Sequence, residues 1–235
     1  MALKDVVDFY LNYGKRGMEV EFARLDLIQK KANSKCSCYC NSCAKRDCLL
    51  YFCVKGGHQF RMKEHEIQDA VDALKSHSIL SGTYKDFEDL YVAVNAAISK
   101  CKGVGDLTVY DTALRIGYLL KVLPKDYVYL YAGGYEGYKR VTNLPAPNYY
   151  GKNKISAIQS LDPEFKRLNA YEIEDFFCVC KNFFEENKNT GGSVASRVRP
   201  SHECVKVEQQ MLKDIRYYFD WNLNQLKNEN CVLSL

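Results

Sequence analysis

The sequence predicts a mostly α-helical, multi-helix globular protein. The chain has 235 residues, of which 47% are hydrophobic and 26% are charged, and these are ordinary values for a chain that buries a core. Apolar residues recur at intervals of three and four along most of the chain, which is the spacing of one face of an α-helix. Alternating strand patterns are scarce. These observations exclude a collagen-like or wholly disordered chain and favour packed helices.

Helical periodicity places the elements in order along the chain. It predicts helices at 5–13, 18–31, 64–77 and 86–100, one that opens near 108, one after 169 and one over 205–227. The first helix has an apolar face made of Val6, Phe9, Tyr10 and Tyr13. Residues 127–132 carry the best strand signal and fit a buried helix equally well. Residues 187–200 are polar and contain glycine, which predicts a mobile loop.

The helix after 169 has the clearest start signal. Asn169 is followed three positions on by Glu172, which is typical of a capping box. An apolar stripe at helical spacing continues from there and consists of Ile173, Phe176, Phe177, Cys180 and Phe184. The sequence therefore predicts a helix whose stripe faces the core.

Positive charge is concentrated in one segment. Residues 30–63 contain one acid, Asp47, and eight basic side chains: Lys30, Lys31, Lys35, Lys45, Arg46, Lys55, Arg61 and Lys63. Clustered Lys and Arg favour phosphate-bearing partners because their binding releases counterions. The alternative is a solvated surface loop.

Membrane and export signals are not found in the sequence. The longest unbroken apolar run, 48–54, is far shorter than the roughly 18 to 20 residues of a membrane helix. Residues 1–20 carry charges throughout and contain no signal-peptide core. Cys231 stands fifth from the end, where a prenylation box needs it fourth. We expect a soluble, cytoplasmic protein without a membrane partner.

A glycine-containing turn joins two of the predicted helices. One periodic helix ends near Lys100, Gly-Val-Gly follows at 103–105, and the next helix opens near Thr108. This segment resembles the helix-hairpin-helix motif, which it matches at Cys101, Gly103, Val104, Gly105 and Thr108. Two glycines permit a tight turn and a close approach to phosphate, and the free amides of the second helix form an anion site.

The resemblance implies sequence-independent contact with nucleic acid. The expected binding residues are Lys100, Lys102, Gly103, Gly105, Thr108 and Arg115, and Gly103→Glu is expected to abolish binding while the fold stays intact. Asp106 would repel a phosphate or cap the second helix. The alternative is a tight helix connection in which glycine serves as the C-cap.

The segment also resembles the helix-hairpin-helix DNA glycosylases. Their lyase members place a Lys two positions after the second hairpin glycine, where this chain has Leu107, so lyase chemistry is not expected. Their catalytic Asp lies about 18 residues further on and acts in proton transfer or charge stabilisation. The candidates for a monofunctional reaction here are Asp111, Arg115 and Asp126.

A longer resemblance covers roughly residues 100–181. Residues 107–117 (LTVYDTALRIG), 128–133 (VYLYAG) and 171–181 (YEIEDFFCVCK) resemble a family of uncharacterised bacterial proteins with an LTVYDTAxRIG core. Tyr131 stands where that family has His. The family carries no known reaction, so the resemblance bears on the fold.

Cysteines form the second chemical signal. Six of the 11 cysteines lie between 36 and 53, and metal binding explains such density better than disulfides in a cytoplasmic chain. Cys40 and Cys43 have knuckle spacing, and Cys48 and Cys53 would complete a tetrahedral zinc site; Cys36 and Cys38 are alternates. An iron–sulfur cluster and unligated or redox-active thiols are the other interpretations.

The sequence therefore predicts a nucleic-acid-binding protein that uses the hairpin and the basic, cysteine-rich segment. The expected partner is DNA, with RNA as an alternative. A glycosylase-like enzyme without lyase activity and a protein-interaction module are the competing hypotheses. The expected organisation is 1–63, N-terminal helices and cysteine-rich segment; 64–186, helix-hairpin-helix core; and 187–235, loop and C-terminal helix.

Overall fold

A computed structural model describes residues 1–33, 45–56, 59, 61–142, 154–156, 161–185 and 197–228. The protein is mostly helical, as the periodicity predicts. The α-helices are α1 (Leu3–Phe9), α2 (Arg16–Asn33), α3 (Lys45–Val54), α4 (Glu64–Ser76), α5 (Phe87–Ile98), α6 (Asp106–Leu120), α7 (Ala132–Val141), α8 (Ala170–Cys180) and α9 (Ser201–Asn228). Among the described residues, no helix combines the length and the apolarity that crossing a membrane requires.

Two short strands and several short turns complete the described elements. Strands β1 (Tyr127–Tyr129) and β2 (Lys154–Ser156) pair antiparallel, with Val128 opposite Ile155. The predicted strand at 127–132 is therefore present but shorter, because α7 begins at Ala132. The 3₁₀ turns are Ile79–Ser81, Pro163–Arg167 and Lys181–Phe183.

The chain packs as two units. Unit 1 comprises Met1–Gly17 and Pro124–Tyr217, and unit 2 comprises Met18–Leu123 and Tyr218–Leu235. These units do not follow the sequential boundaries expected after 63 and 186. The N-terminal residues join unit 1 because the Tyr10 ring packs edge-on against Phe176, 5.6 Å between centroids.

Unit 1 has an aromatic core around α8. The stripe predicted for this helix is buried along its length, and Phe184 is buried beyond it. Phe165 packs edge-on against Phe176 at 5.2 Å. The Glu172 half of the capping box is confirmed, since the backbone amide of Asn169 donates to a carboxylate oxygen of Glu172 at 2.8 Å, whereas the Asn169 side chain makes no capping bond to the helix amides. Local sequence thus fixes where α8 begins, and core burial fixes how it is oriented.

A π-helical turn follows α1 and changes its exposed face. Residues Tyr10–Gly14 form this turn, in which the amide of Lys15 bonds to the carbonyl of Tyr10 at 3.1 Å. The extra residue rotates the next positions around the axis. Val6, Phe9 and Tyr10 are buried as predicted, whereas Tyr13 is 39% exposed, so its assignment to the apolar face is wrong.

Helix α7 packs against α8 through its glycines. A Cβ on Gly137 would collide with the backbone carbonyl of Phe177, and one on Gly133 would lie 2.7 Å from the Sγ of Cys178. The two glycines are four positions apart, so they lie on one face of α7. Their missing side chains are what allow the two helix backbones to approach closely.

Candidate nucleic-acid interface

The turn between α5 and α6 in unit 2 has the backbone of a tight hairpin. The amide of Cys101 bonds to the carbonyl of Ile98 at 3.0 Å, and the amide of Val104 bonds to the carbonyl of Cys101 at 3.2 Å. Gly103 adopts φ +80°, a region that favours glycine because a Cβ is strained there. Gly105 is extended, with φ −107° and ψ 175°, and is the N-cap of α6.

The N-terminus of α6 is open at Gly105. A Cβ placed on this residue would meet no atom of the described residues within 4 Å, and its N-cap position makes no side-chain hydrogen bond to them. The first amides of a helix have no partner within it, so those of residues 106–108 are donors at a positive helix end. Lys100 and Lys102 are both exposed in the same turn. The backbone can therefore approach an anion without steric obstruction.

Two acids lie close to this turn. Asp106 is exposed in the first turn of α6. Glu66 accepts a hydrogen bond from the amide of Lys63 at 3.0 Å, and its Oε2 would lie 2.7 Å from a Cβ on Gly103. Gly103→Glu would place a side chain on a backbone with positive φ and a second carboxylate beside Glu66. The variant would therefore disturb the hairpin, and the expectation that its fold stays intact is wrong.

Thr108 and Arg115, two of the expected binding residues, are buried. Thr108 is 9% exposed and Arg115 is 3% exposed. The Arg115 Nη1 donates to the carbonyl of Cys53 at 3.0 Å, and Nη2 donates to Glu21 at 3.2 Å. The Arg115 guanidinium and the Thr108 side chain are therefore not part of the exposed hairpin surface, and their expected role as binding side chains is wrong. The backbone amide of Thr108 still belongs to the α6 N-terminus.

The buried Arg115 belongs to a network that joins α2, α3 and α6. Its Nε lies 3.2 Å from the second oxygen of Glu21, and Nη2 lies 3.6 Å from Asp111. The side-chain amide of Gln59 donates to the same Asp111 oxygen at 2.8 Å. Asp111 and Arg115 are four positions apart in α6, so the sequence alone could have indicated that they pair. Glu21 and Gln59 come from distant segments, and the sequence analysis did not identify them. We name these four side chains the Arg115 network.

The three candidate catalytic residues differ in burial and do not all belong to the same unit. Asp111 and Arg115 are partnered inside unit 2. Asp126 is exposed and belongs to unit 1, where it precedes β1. Protein groups already bond to the first two side chains, so their geometry favours a structural role.

The expected metal ligands are only partly within the described residues. Cys36, Cys38, Cys40 and Cys43 lie outside them, and of Cys48 only its place in α3 is described. Cys53 is fully buried, and this burial raises the pKa of its thiol to about 12, with Arg115 opposing and Glu21 reinforcing the shift. The described residues contain no group of three or more potential metal ligands.

The segments that resemble the bacterial family form core elements in both units. Residues 107–117 lie within α6, and a Cβ on Gly117 would collide with the carbonyl of Val122. Tyr131 is only 6% exposed. Comparisons of the chain with protein-family models, curated proteins and solved structures find no match. Core packing therefore gives a structural reason for the residues found in these three segments. The resemblance to the bacterial family stays a prediction.

Proposed function

We propose that the protein binds nucleic acid, with duplex DNA as the main partner, through the phosphate backbone at the α5–α6 hairpin. The observation that supports this most is the open α6 N-terminus at Gly105, where no atom in the described part of the chain would contact even an added Cβ. Phosphate contacts of this kind position a duplex without reading its sequence.

The charge around the hairpin limits how strongly one contact would bind. Lys100 and Lys102 attract phosphate, whereas Asp106 repels it. The hairpin therefore provides an anchor, and we propose that the basic segment 30–63 adds further contacts. Lys30, Arg61 and Lys63 of that segment are exposed, which supports this part of the proposal.

The test uses one position and two matched variants. Gly105→Asp and Gly105→Asn introduce side chains of the same size, and both residues are favoured N-caps. The backbone at Gly105 is extended and its surroundings are open, so both variants should fold. Only Gly105→Asp places a negative charge where the phosphate would bind.

Fluorescence anisotropy with duplex DNA, single-stranded DNA and duplex RNA measures the effect over a range of salt concentrations. Each phosphate contact on duplex DNA contributes a slope of about −0.9 in log affinity against log salt. Either side chain can accept a bond from an α6 amide as an N-cap, so we expect both variants to weaken binding. Gly105→Asp should weaken it more, because only Asp adds a negative charge, and should reduce the slope by about one contact. Equal affinities for the two variants would contradict the proposal. Tighter binding to RNA than to DNA would change the assigned partner.

A zinc ion is the proposed cofactor of the cysteine-rich segment. The proposal rests on the spacing of Cys40 and Cys43, with Cys48 and Cys53 as the thiols that would complete a tetrahedral site. One zinc per chain, lost in Cys43→Ser, is the expected result of metal analysis. Iron and sulfide in equal amounts would indicate the iron–sulfur alternative, and a metal-free folded protein would refute both.

A further inference from the structure

A groove lies in unit 1 between the end of α8 and the first half of α9. It encloses 610 Å³ and is lined in part by the 3₁₀ turn that follows α8. Pockets for small organic ligands have volumes of about 300 to 1,000 Å³, so the groove is large enough for one. It lies in a part of the molecule that the proposed nucleic-acid contact does not use. We name it the α8–α9 groove.

One wall of the α8–α9 groove is apolar. Val179 contributes from α8, and Val207 and Met211 contribute from α9. Val207 and Met211 are four positions apart, so they form a continuous strip along one face of α9. Met211 is buried, and the two valines are half-buried. The strip would receive the hydrocarbon part of a ligand and remove it from water.

The groove also contains a guanidinium that is held in place. The Nε of Arg199 donates to the carbonyl of Asn182 at 2.9 Å, and Nη1 donates to Glu203 at 3.3 Å. Among the described residues, no acceptor is bonded to Nη2 of Arg199. A guanidinium fixed by two of its nitrogens is preorganised to bind a carboxylate with the third.

A second cation that lines the groove belongs to α9. Lys206 lines the groove and is exposed, and it makes no ion pair with any described residue. Asp214 lines the groove as well, but eight positions along a helix place it about 12 Å further on. Glu203 also lines the groove and pairs with Arg199 at 3.3 Å, so the cationic charge that no described acid offsets here is that of Lys206, and the apolar strip extends away from it along α9.

We propose that the α8–α9 groove binds a small organic anion that joins a carboxylate head to an apolar body. The head contacts Arg199 and Lys206, and the body lies along Val207 and Met211. A medium-chain fatty acid or an aryl carboxylate has this chemistry. An inorganic anion lacks the apolar body, and a neutral hydrocarbon lacks the head.

The experiment uses octanoate as the probe and a cysteine as the reporter. Cys178 lines the groove and is half-buried, so a bound ligand should slow its alkylation by iodoacetamide, measured by peptide mass spectrometry. Cys101 is also half-buried but belongs to unit 2, and it serves as the control thiol in the same sample. Acetate provides the same head without the body.

We expect octanoate to protect Cys178 at concentrations where acetate does not, and to leave Cys101 unprotected. Lys206→Gln should weaken the octanoate affinity about tenfold, the effect of losing roughly one charge-assisted hydrogen bond. Lys213→Gln removes an exposed charge from α9 outside the groove lining and should have no effect.

Three outcomes would overturn the proposal. They are the absence of Cys178 protection at saturating octanoate, equal protection of Cys101, and equal loss of affinity in Lys206→Gln and Lys213→Gln. Arg199→Gln should weaken octanoate binding at least as much as Lys206→Gln. Because Arg199 also bonds to protein atoms, Lys206→Gln decides the result if the Arg199 variant does not fold.

Discussion

Replacing Arg115 by Met tests the structural role of the Arg115 network. The substitution removes the donor to the Cys53 carbonyl and the counter-charge of Glu21, while Asp111 keeps its bond from Gln59. The side chains of Arg115, Glu21 and Asp111 are 4%, 16% and 10% exposed, so little water can replace the lost contacts. Breaking a buried ion pair by removing one partner costs about 3–5 kcal/mol, and we expect a loss in this range.

Urea denaturation at neutral pH measures this loss from the shift of the unfolding midpoint. The matched control is Lys100→Met, which removes an exposed charge and should change stability by about 0.5 kcal/mol or less. Adding Glu21→Met to Arg115→Met should recover part of the lost stability, because the uncompensated buried carboxylate is then gone. A cost below about 1 kcal/mol for Arg115→Met, or no recovery in the double variant, would refute the structural role.

Three further predictions concern unit 1. Gly137→Ala should cost about 1–3 kcal/mol or more through overpacking, whereas Gly133→Ala should cost less because it meets a movable side chain; thermal unfolding compares the two. Glu172→Ala removes the acceptor of the Asn169 backbone amide and should cost about 1 kcal/mol, and unchanged stability would contradict the capping role of Glu172. Tyr10 donates to Asp175 at 2.8 Å, and burial, then Asp175, raise its pKa well above the usual value. Tyr10→Phe should therefore be less stable than the wild type at neutral pH. The wild type should lose this advantage above about pH 10, where the unfolded state releases the tyrosine proton first. A stability difference that does not change with pH would contradict this.

Elements with strong local signals were predictable from the sequence. The capping box located the start of α8, and the glycine turn located the α5–α6 hairpin. Helix α7 was not predicted, because glycines in a helix lower its intrinsic propensity. Its stability depends on the close approach of Gly137 to α8, which is a tertiary contact. The turn after α1 similarly exposes Tyr13, because an i to i+5 bond replaces the regular helical one.

For the candidate site, the sequence predicted the backbone turn and the exposed lysines but not which side chains are buried. The positions of Gly103 and Gly105 follow from local turn chemistry, and the exposed lysines follow from composition. The burial of Arg115 depends on Glu21, from a helix more than 90 positions away in sequence. Spacing within α6 contains no signal for such a partner, and this is why Arg115 resembles a surface cation in the sequence.

The most direct test of the central claim is a titration of ¹⁵N-labelled protein with duplex DNA, followed by amide NMR shifts at low salt. The account predicts that the amides of residues 106–108 shift first and that added salt reverses the change. Shifts confined to other parts of the chain, with unchanged amides at the α6 N-terminus, would contradict it.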